Sequence, residues 1–205
     1  MSRKQGDDVT QFELMDRMVA SGNGYICTAQ AMAHGISKTV LADYVRRRDM
    51  DRAAHGIYIS KDVWPDDLYL LSLSNKRIIF SHETALMLHG LTEHEPGFIS
   101  VTVAPGYNGT HLRAKGVRIH YVKSDRIGLG VMEKETFFGN TVRVYDMDRT
   151  VCDIIRVKDS MDVQVFRYAI KEYMHSSQKN LDHLMKYAKE FHVEPAVRTY
   201  TEVLL

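Results

Sequence analysis

Three consecutive arginines, Arg46, Arg47 and Arg48, form the longest run of like charge in the chain. They close a segment in which Val40, Leu41, Tyr44 and Val45 recur at helical spacing behind Ser37, a residue type that caps helices. At about 3.6 residues per turn, three adjacent side chains fan around most of a helix, so they cannot all enter a core. They can instead reach phosphates on both sides of a groove. A helix used in this way offers its first turn to base edges. Here that turn carries Ser37, Lys38 and Thr39, with Ala42 and Asp43 one turn later. Arg52 and His55 follow in a strand-like pair, 50–53 and 56–60, turned by Ala54-His55-Gly56. The tip of such a hairpin suits the backbone or the minor groove. An arginine run at a helix C-terminus is also favoured by the helix dipole, so the surrounding elements decide its meaning.

Those elements read in a definite order. Phe12, Met15, Met18 and Val19 predict a helix over 9–21, closed by Gly22 and Gly24. A short segment at 25–27 follows. Thr28 is expected to cap a helix over 29–34 that Gly35 stops, and Ser37 to cap another over 38–48. Helix, helix, three-residue turn, helix and β-hairpin is the order of a winged helix-turn-helix, assigned to residues 1–62 with a frayed end at 1–8. Nine Lys and Arg stand against eight Asp and Glu in that span, so its positive field is modest.

Other residues carry weaker chemical signals. Asp146-Met147-Asp148-Arg149-Thr150 follows a strand-like run, a spacing that resembles the first motif of haloacid-dehalogenase-type phosphatases. There one carboxylate attacks phosphorus and the other handles the proton, both beside Mg²⁺. That fold needs a long α/β remainder, whereas only 55 residues follow Thr150, and their pattern is helical. The competing reading is a helix cap at Asp148 with an Arg149–Asp153 pair at i, i+4. Ser81-His82-Glu83-Thr84 opens like a zinc-protease helix, but Leu86 stands where the second histidine is required. Glu133-Lys134-Glu135 lacks the upstream strand Asp of a nuclease site, and Tyr107-Asn108-Gly109 is a turn without a phosphate-binding Lys. The expectation is therefore a binding protein, with no catalytic set, no metal site and no cofactor.

The whole chain of 205 residues has 27 Lys and Arg against 26 Asp and Glu, and 44% hydrophobic residues. This is globular composition without a general basic coat. Two distant cysteines, Cys27 and Cys152, point to a reducing compartment, and no apolar run is long enough to span a bilayer. A cytoplasmic protein without a membrane partner is expected. After Trp64-Pro65 a second domain is expected over 67–205. Asp66 and Ser81 would cap helices at 68–75 and 82–89. Period-two alternation at 98–103, 117–122 and 141–145, with a fourth strand near 135–138, predicts half-buried strands in a small mixed or antiparallel sheet. Helical stripes from Val151 to Phe191 complete an α+β domain with a helical C-terminal tail.

Three blocks taken together resemble a known family. They are Tyr25-Ile26-Cys27-Thr28-Ala29 through Arg46-Arg47-Arg48 to Gly56-Ile57-Tyr58, then the eleven residues from Ser81 to Leu91 running on to Val103, then Val142 to Asp153. Their order and spacing resemble the AbiEi-type antitoxins of type IV toxin–antitoxin systems, which act in abortive infection. The resemblance implies a winged helix that binds inverted repeats in its own promoter and represses the operon. It also implies a second domain that counteracts a nucleotidyltransferase toxin without a stable complex. By position it puts Lys38, Thr39, Arg46, Arg47, Arg48 and Arg52 at DNA, and His82, Thr84, Asp148, Arg149 and Asp153 in the recurrent blocks of the antitoxic domain. A winged-helix regulator whose second domain senses a ligand is the alternative.

Overall fold

A computed structural model describes residues 10–204. It is a mixed α+β protein with two small sheets and a C-terminal helix. The described residues divide into two compact units, one running up to Ser74 with Phe137–Asn140, the other comprising Asn75–Thr136 and the described residues from Thr141. The frayed end expected at 1–8 lies outside the described residues. No helix among the described residues is long and apolar enough to cross a membrane.

In the first unit, α1 (Gln11–Ser21) opens with a capping box. The Thr10 hydroxyl accepts from Glu13 N at 3.2 Å, and the Glu13 carboxylate accepts from Thr10 N at 2.8 Å. β1 (Tyr25–Cys27) leads into α2 (Thr28–Ala33). Thr28 is the first residue of this helix and not its cap; its amide donates to Gly56 O at 2.8 Å. Gly35, at φ +77°, reverses the chain in a conformation that costs glycine little. Ser37 then caps α3 (Lys38–Arg47), its hydroxyl accepting from Val40 N. β2 (Asp51–Ala54) and β3 (Ile57–Ile59) form a hairpin, and β3 also pairs antiparallel with β1, giving the order β1-β3-β2. Met15, Ile26, Ala31, Ile36, Leu41, Tyr44 and Met50 fill the core beneath α1, α2 and α3. Tyr25, Cys27, Ile57 and Ile59 pack against α4 (Asp67–Ser74), whose first turn is held by Asp66 Oδ1 accepting from Tyr69 N.

The second unit contains β4 (Ile79–Phe80), α5 (His82–Leu88), β5 (Ser100–Val103), α6 (Thr110–Arg113), β6 (Arg118–Tyr121), β7 (Val131–Glu135) and β8 (Thr141–Tyr145). The sheet is mixed, in the order β6-β5-β4-β8-β7. The β4–β5 and β7–β8 pairs are antiparallel, and the β4–β8 and β5–β6 pairs are parallel. β8 alternates as expected, with Val142 and Val144 inward and Thr141 and Arg143 outward. β5 does not. Ser100 and Thr102 are as buried as Val101 and Val103, because the segment that opens α5 covers their face: Ser100 Oγ donates to Glu83 Oε2 and Thr102 Oγ1 to Ser81 Oγ, replacing the water these hydroxyls would bind. The strand expected near 135–138 lies at Val131–Glu135.

Four helices finish the unit: α7 (Met147–Arg156), α8 (Val163–His175), α9 (Leu181–Glu190) and α10 (Glu194–Leu204). α7 is buried from Met147 to Ile155. Val151 and Ile154 pack with Leu86 of α5, Phe166, Ile170 and Tyr173 of α8, and Leu184 of α9. The cap of α7 is Asp146, whose Oδ1 accepts from Arg149 N at 2.7 Å, and not Asp148, the cap expected from sequence. Ser81 stands at the N-cap position of α5 as expected, but its side chain makes no capping hydrogen bond. Its hydroxyl accepts from Thr102 Oγ1 at 2.8 Å and contacts His82 Nδ1 at 3.0 Å.

Candidate nucleic-acid interface

α3 faces two ways. Leu41 and Tyr44 enter the core, while Lys38, Thr39, Ala42, Arg46 and Arg47 stand exposed on the other side. The periodicity that buries one stripe turns the cations outward. Thr39, Ala42, Asp43 and Arg46 share an open groove with Phe12 and Val40. Ser37 is engaged in capping, so its role is to start the helix.

The three arginines are each held by a carboxylate. Asp43 takes both Arg46 at i+3 and Arg47 at i+4, the latter at 2.9 Å. Arg47 also lies 5.5 Å from the Phe12 ring centre. Arg48 pairs with Asp16 of α1, whose other oxygen accepts from Tyr44 OH at 2.8 Å. Burial, with the Asp16 carboxylate beside it, pushes the Tyr44 phenol up to about 12. Arg46 and Arg47 keep side-chain exposures of 79% and 67%, so their pairs with Asp43 are solvent-screened and easily exchanged. Arg48 is tied to the scaffold through Asp16 and Tyr44 and lies apart from this groove.

On the hairpin, Arg52 donates to Ala54 O and contacts His55 Nδ1 at 3.0 Å. The pair sits beside a register shift between Arg52 and Ala54, and Gly56 turns the chain at φ +68°. The spacing of Asp43 to Arg46 and Arg47 makes that pairing legible in sequence. Asp16 and Lys61, which pairs with Asp49, lie far along the chain from their partners and carry no local signal.

The residues of the second unit singled out in the sequence are buried. Thr84 Oγ1 accepts from Ser100 N at 2.8 Å. His82 is 3% exposed, has φ +49°, and stacks on His120 with ring centres 3.5 Å apart. Burial, then His120, Arg156, Arg149 and Arg118, drive its basicity well down. Arg149 and Asp153 are both fully buried and pair at 3.1 Å. The Arg149 guanidinium lies between the Phe191 and Tyr145 rings, 3.8 and 4.2 Å from their centres, and donates to Leu129 O and Arg126 O. Asp148 Oδ1 accepts from Tyr173 OH at 2.6 Å and from Asn180 N at 3.0 Å, and Asp146 Oδ2 from Tyr187 OH. Asp148, Arg149 and Asp153 thus come together on α7 as the joint of the helical region. No group of three or more His, Cys, Asp or Glu suited to a metal ion occurs among the described residues.

No family model matches this chain, and no curated protein does. Among solved structures, the crystal structure of the Rv2827c protein from Mycobacterium tuberculosis is similar in fold, with a TM-score of 0.55. The likeness covers 92% of this chain and 75% of that one, at 10% identity.

Proposed function

We propose that the first unit is a winged helix-turn-helix that binds duplex DNA through α3, and that the chain is an AbiEi-type antitoxin that represses its own operon. The observation that carries the DNA reading is the outward face of α3, with Lys38 and Thr39 at one end and Arg46 and Arg47 at the other. At about 1.5 Å rise per residue this face spans the mouth of a major groove. Lys38 and Thr39 meet bases, and Arg46 and Arg47 leave Asp43 for phosphates. Arg52 and His55 on the hairpin meet the flanking backbone. Exchanging one carboxylate for phosphates limits the gain per copy, which suits a site of two inverted half-sites one helical turn apart.

The test is a gel shift on the DNA upstream of the gene at several salt concentrations. Arg46→Ala with Arg47→Ala is expected to weaken binding and to flatten the salt slope by about 1.8, at about 0.9 per phosphate contact. Unchanged binding would remove α3 from the interface. Asp43→Asn is expected to strengthen binding to scrambled duplex more than to the promoter, because it frees two cations without adding base contacts. A selective gain for the promoter would overturn that role for Asp43.

The antitoxin reading rests on the three sequence blocks. It expects co-expression to rescue growth from an adjacent nucleotidyltransferase, and no rescue would reject it. A ligand-sensing regulator is favoured by one observation, a cavity of about 290 Å³ in the second unit. Glu83, Phe98 and Arg118 line it, with Arg118 paired to Glu83 at 3.0 Å and lying 3.6 Å from the Phe98 ring centre. A small molecule that binds there and shifts promoter affinity would decide for that reading.

A further inference from the structure

The topology of the second unit gathers three segments at one end of its sheet. β5 runs antiparallel to β4, and β6 parallel to β5. The turn before β4, the loop after β5 and the end of β6 therefore meet. They bring Lys76 and Arg77, then Tyr107 to Lys115, then Tyr121 to one place. Residues 96–124 contain no Asp or Glu, and neither do residues 68–82.

The side chains interlock. Arg77 lies 5.1 Å from the Tyr107 ring centre. Tyr107 OH donates to Asn75 Oδ1 at 3.0 Å, and His111 Nε2 contacts the same oxygen at 2.8 Å. Arg113 donates to Tyr121 OH at 2.9 Å and lies over that ring. Tyr121 OH in turn reaches Tyr107 O at 3.5 Å. Lys76, Arg77, His111, Arg113, Lys115 and Tyr121 are exposed. None of these cations has a carboxylate within ion-pair distance among the described residues, in contrast to Arg46, Arg47 and Arg48. Gly109 keeps the loop close, since a Cβ there would stand 2.3 Å from Ile119 Cδ1 of β6.

Cations without carboxylate partners, set beside the exposed Tyr121 ring and the half-buried Tyr107 ring, suit one ligand chemistry. The cations follow a phosphate backbone, and the rings offer faces on which unpaired bases stack. A duplex keeps its base faces stacked inside, so it could use the cations but not Tyr121. We propose that this platform of Arg77, Tyr107, Arg113, Lys115 and Tyr121 binds single-stranded nucleic acid. This site is separate from α3 and does not rest on the promoter reading.

The experiment is fluorescence anisotropy of the full chain with labelled twelve-nucleotide oligo-U RNA, oligo-dT and a duplex, across a salt series. Single strands are expected to bind with a salt slope of about −2, from three phosphate contacts at about 0.7 each. Tyr121→Ala is expected to weaken single-strand binding about tenfold and leave duplex binding unchanged. Arg77→Ser with Arg113→Ser is expected to reduce the slope by about 1.4. Arg46→Ala with Arg47→Ala serves as a control and is expected to bind single strands as wild type does. Comparable RNA and DNA binding supports contacts to phosphate and base faces alone, and an RNA preference supports added contacts to the 2′-hydroxyl. No single-strand binding at low salt, a preference for duplex that persists in the α3 control, or loss of single-strand binding in that control would each overturn the proposal. Matching thermal melts confirm that the exposed substitutions leave the fold intact.

Discussion

Arg149→Met is expected to lower the unfolding free energy by about 3–5 kcal/mol. The guanidinium is fully buried, so its charge has lost water on every side. Five groups stand in for that water: the Asp153 carboxylate, the Leu129 and Arg126 carbonyls, and the rings of Tyr145 and Phe191. Asp153 depends on the same partnership. Burial raises its carboxyl pKa, and Arg149 and then Arg156 oppose that rise. Removing Arg149 leaves a buried carboxylate with only Arg156 at 3.6 Å. The double substitution Arg149→Met with Asp153→Leu is expected to be milder than Arg149→Met alone, because no charge is stranded. Urea denaturation of wild type, both single variants and the double variant measures the coupling. A single-variant loss below about 1 kcal/mol would show that the pair is not the anchor of α7. The same series bears on antitoxicity, since a structural role predicts that rescue follows the folded fraction.

Acidification below about pH 6.5 is expected to destabilise the fold steeply. His82, His89 and His120 all have their basicity lowered, chiefly by burial. His82 and His120 stack face to face, with Arg118, Arg149 and Arg156 near enough to oppose protonation and Glu83 alone favouring it at His120. The unfolded chain therefore takes up protons near 6.5 while the folded chain does not. With more protons on the unfolded state, stability rises with pH and is lost as pH falls through this window. Each histidine that stays neutral contributes up to about 1.4 kcal/mol per pH unit. Asp146 and Asp153, pushed up from 3.8 by burial, act with the opposite sign at lower pH. His82→Asn isolates the histidine term, because asparagine tolerates φ +49° and does not titrate. Denaturation at pH 5.5, 6.0, 6.5 and 7.5 is expected to show a shallower pH slope in the variant. Equal slopes would mean that His82 is protonated in the folded protein.

The sequence by itself determined what depends on neighbours along the chain. Ser37 starts α3 because a hydroxyl three residues before an unsatisfied amide caps it wherever the helix lies. Leu41 and Tyr44 go inward and Arg46 and Arg47 outward because helical periodicity separates them. Arg149 and Asp153 pair because residues four apart meet on one helix face. Tertiary structure decided the rest. Alternation at 98–103 predicts a solvated face, but Ser81, Glu83 and Thr84, at the start of α5, cover that face and bury Ser100 and Thr102. Two Asp residues flank Met147, and contact with Tyr187 and Tyr173 decided that Asp146 caps while Asp148 braces α8 and the start of α9. His82 meets His120, and Arg77 meets Tyr107, only because parallel and antiparallel pairings bring remote segments together. Periodicity records which side of an element faces inward. It holds no record of which element it faces, and that choice is made by packing among segments tens of residues apart.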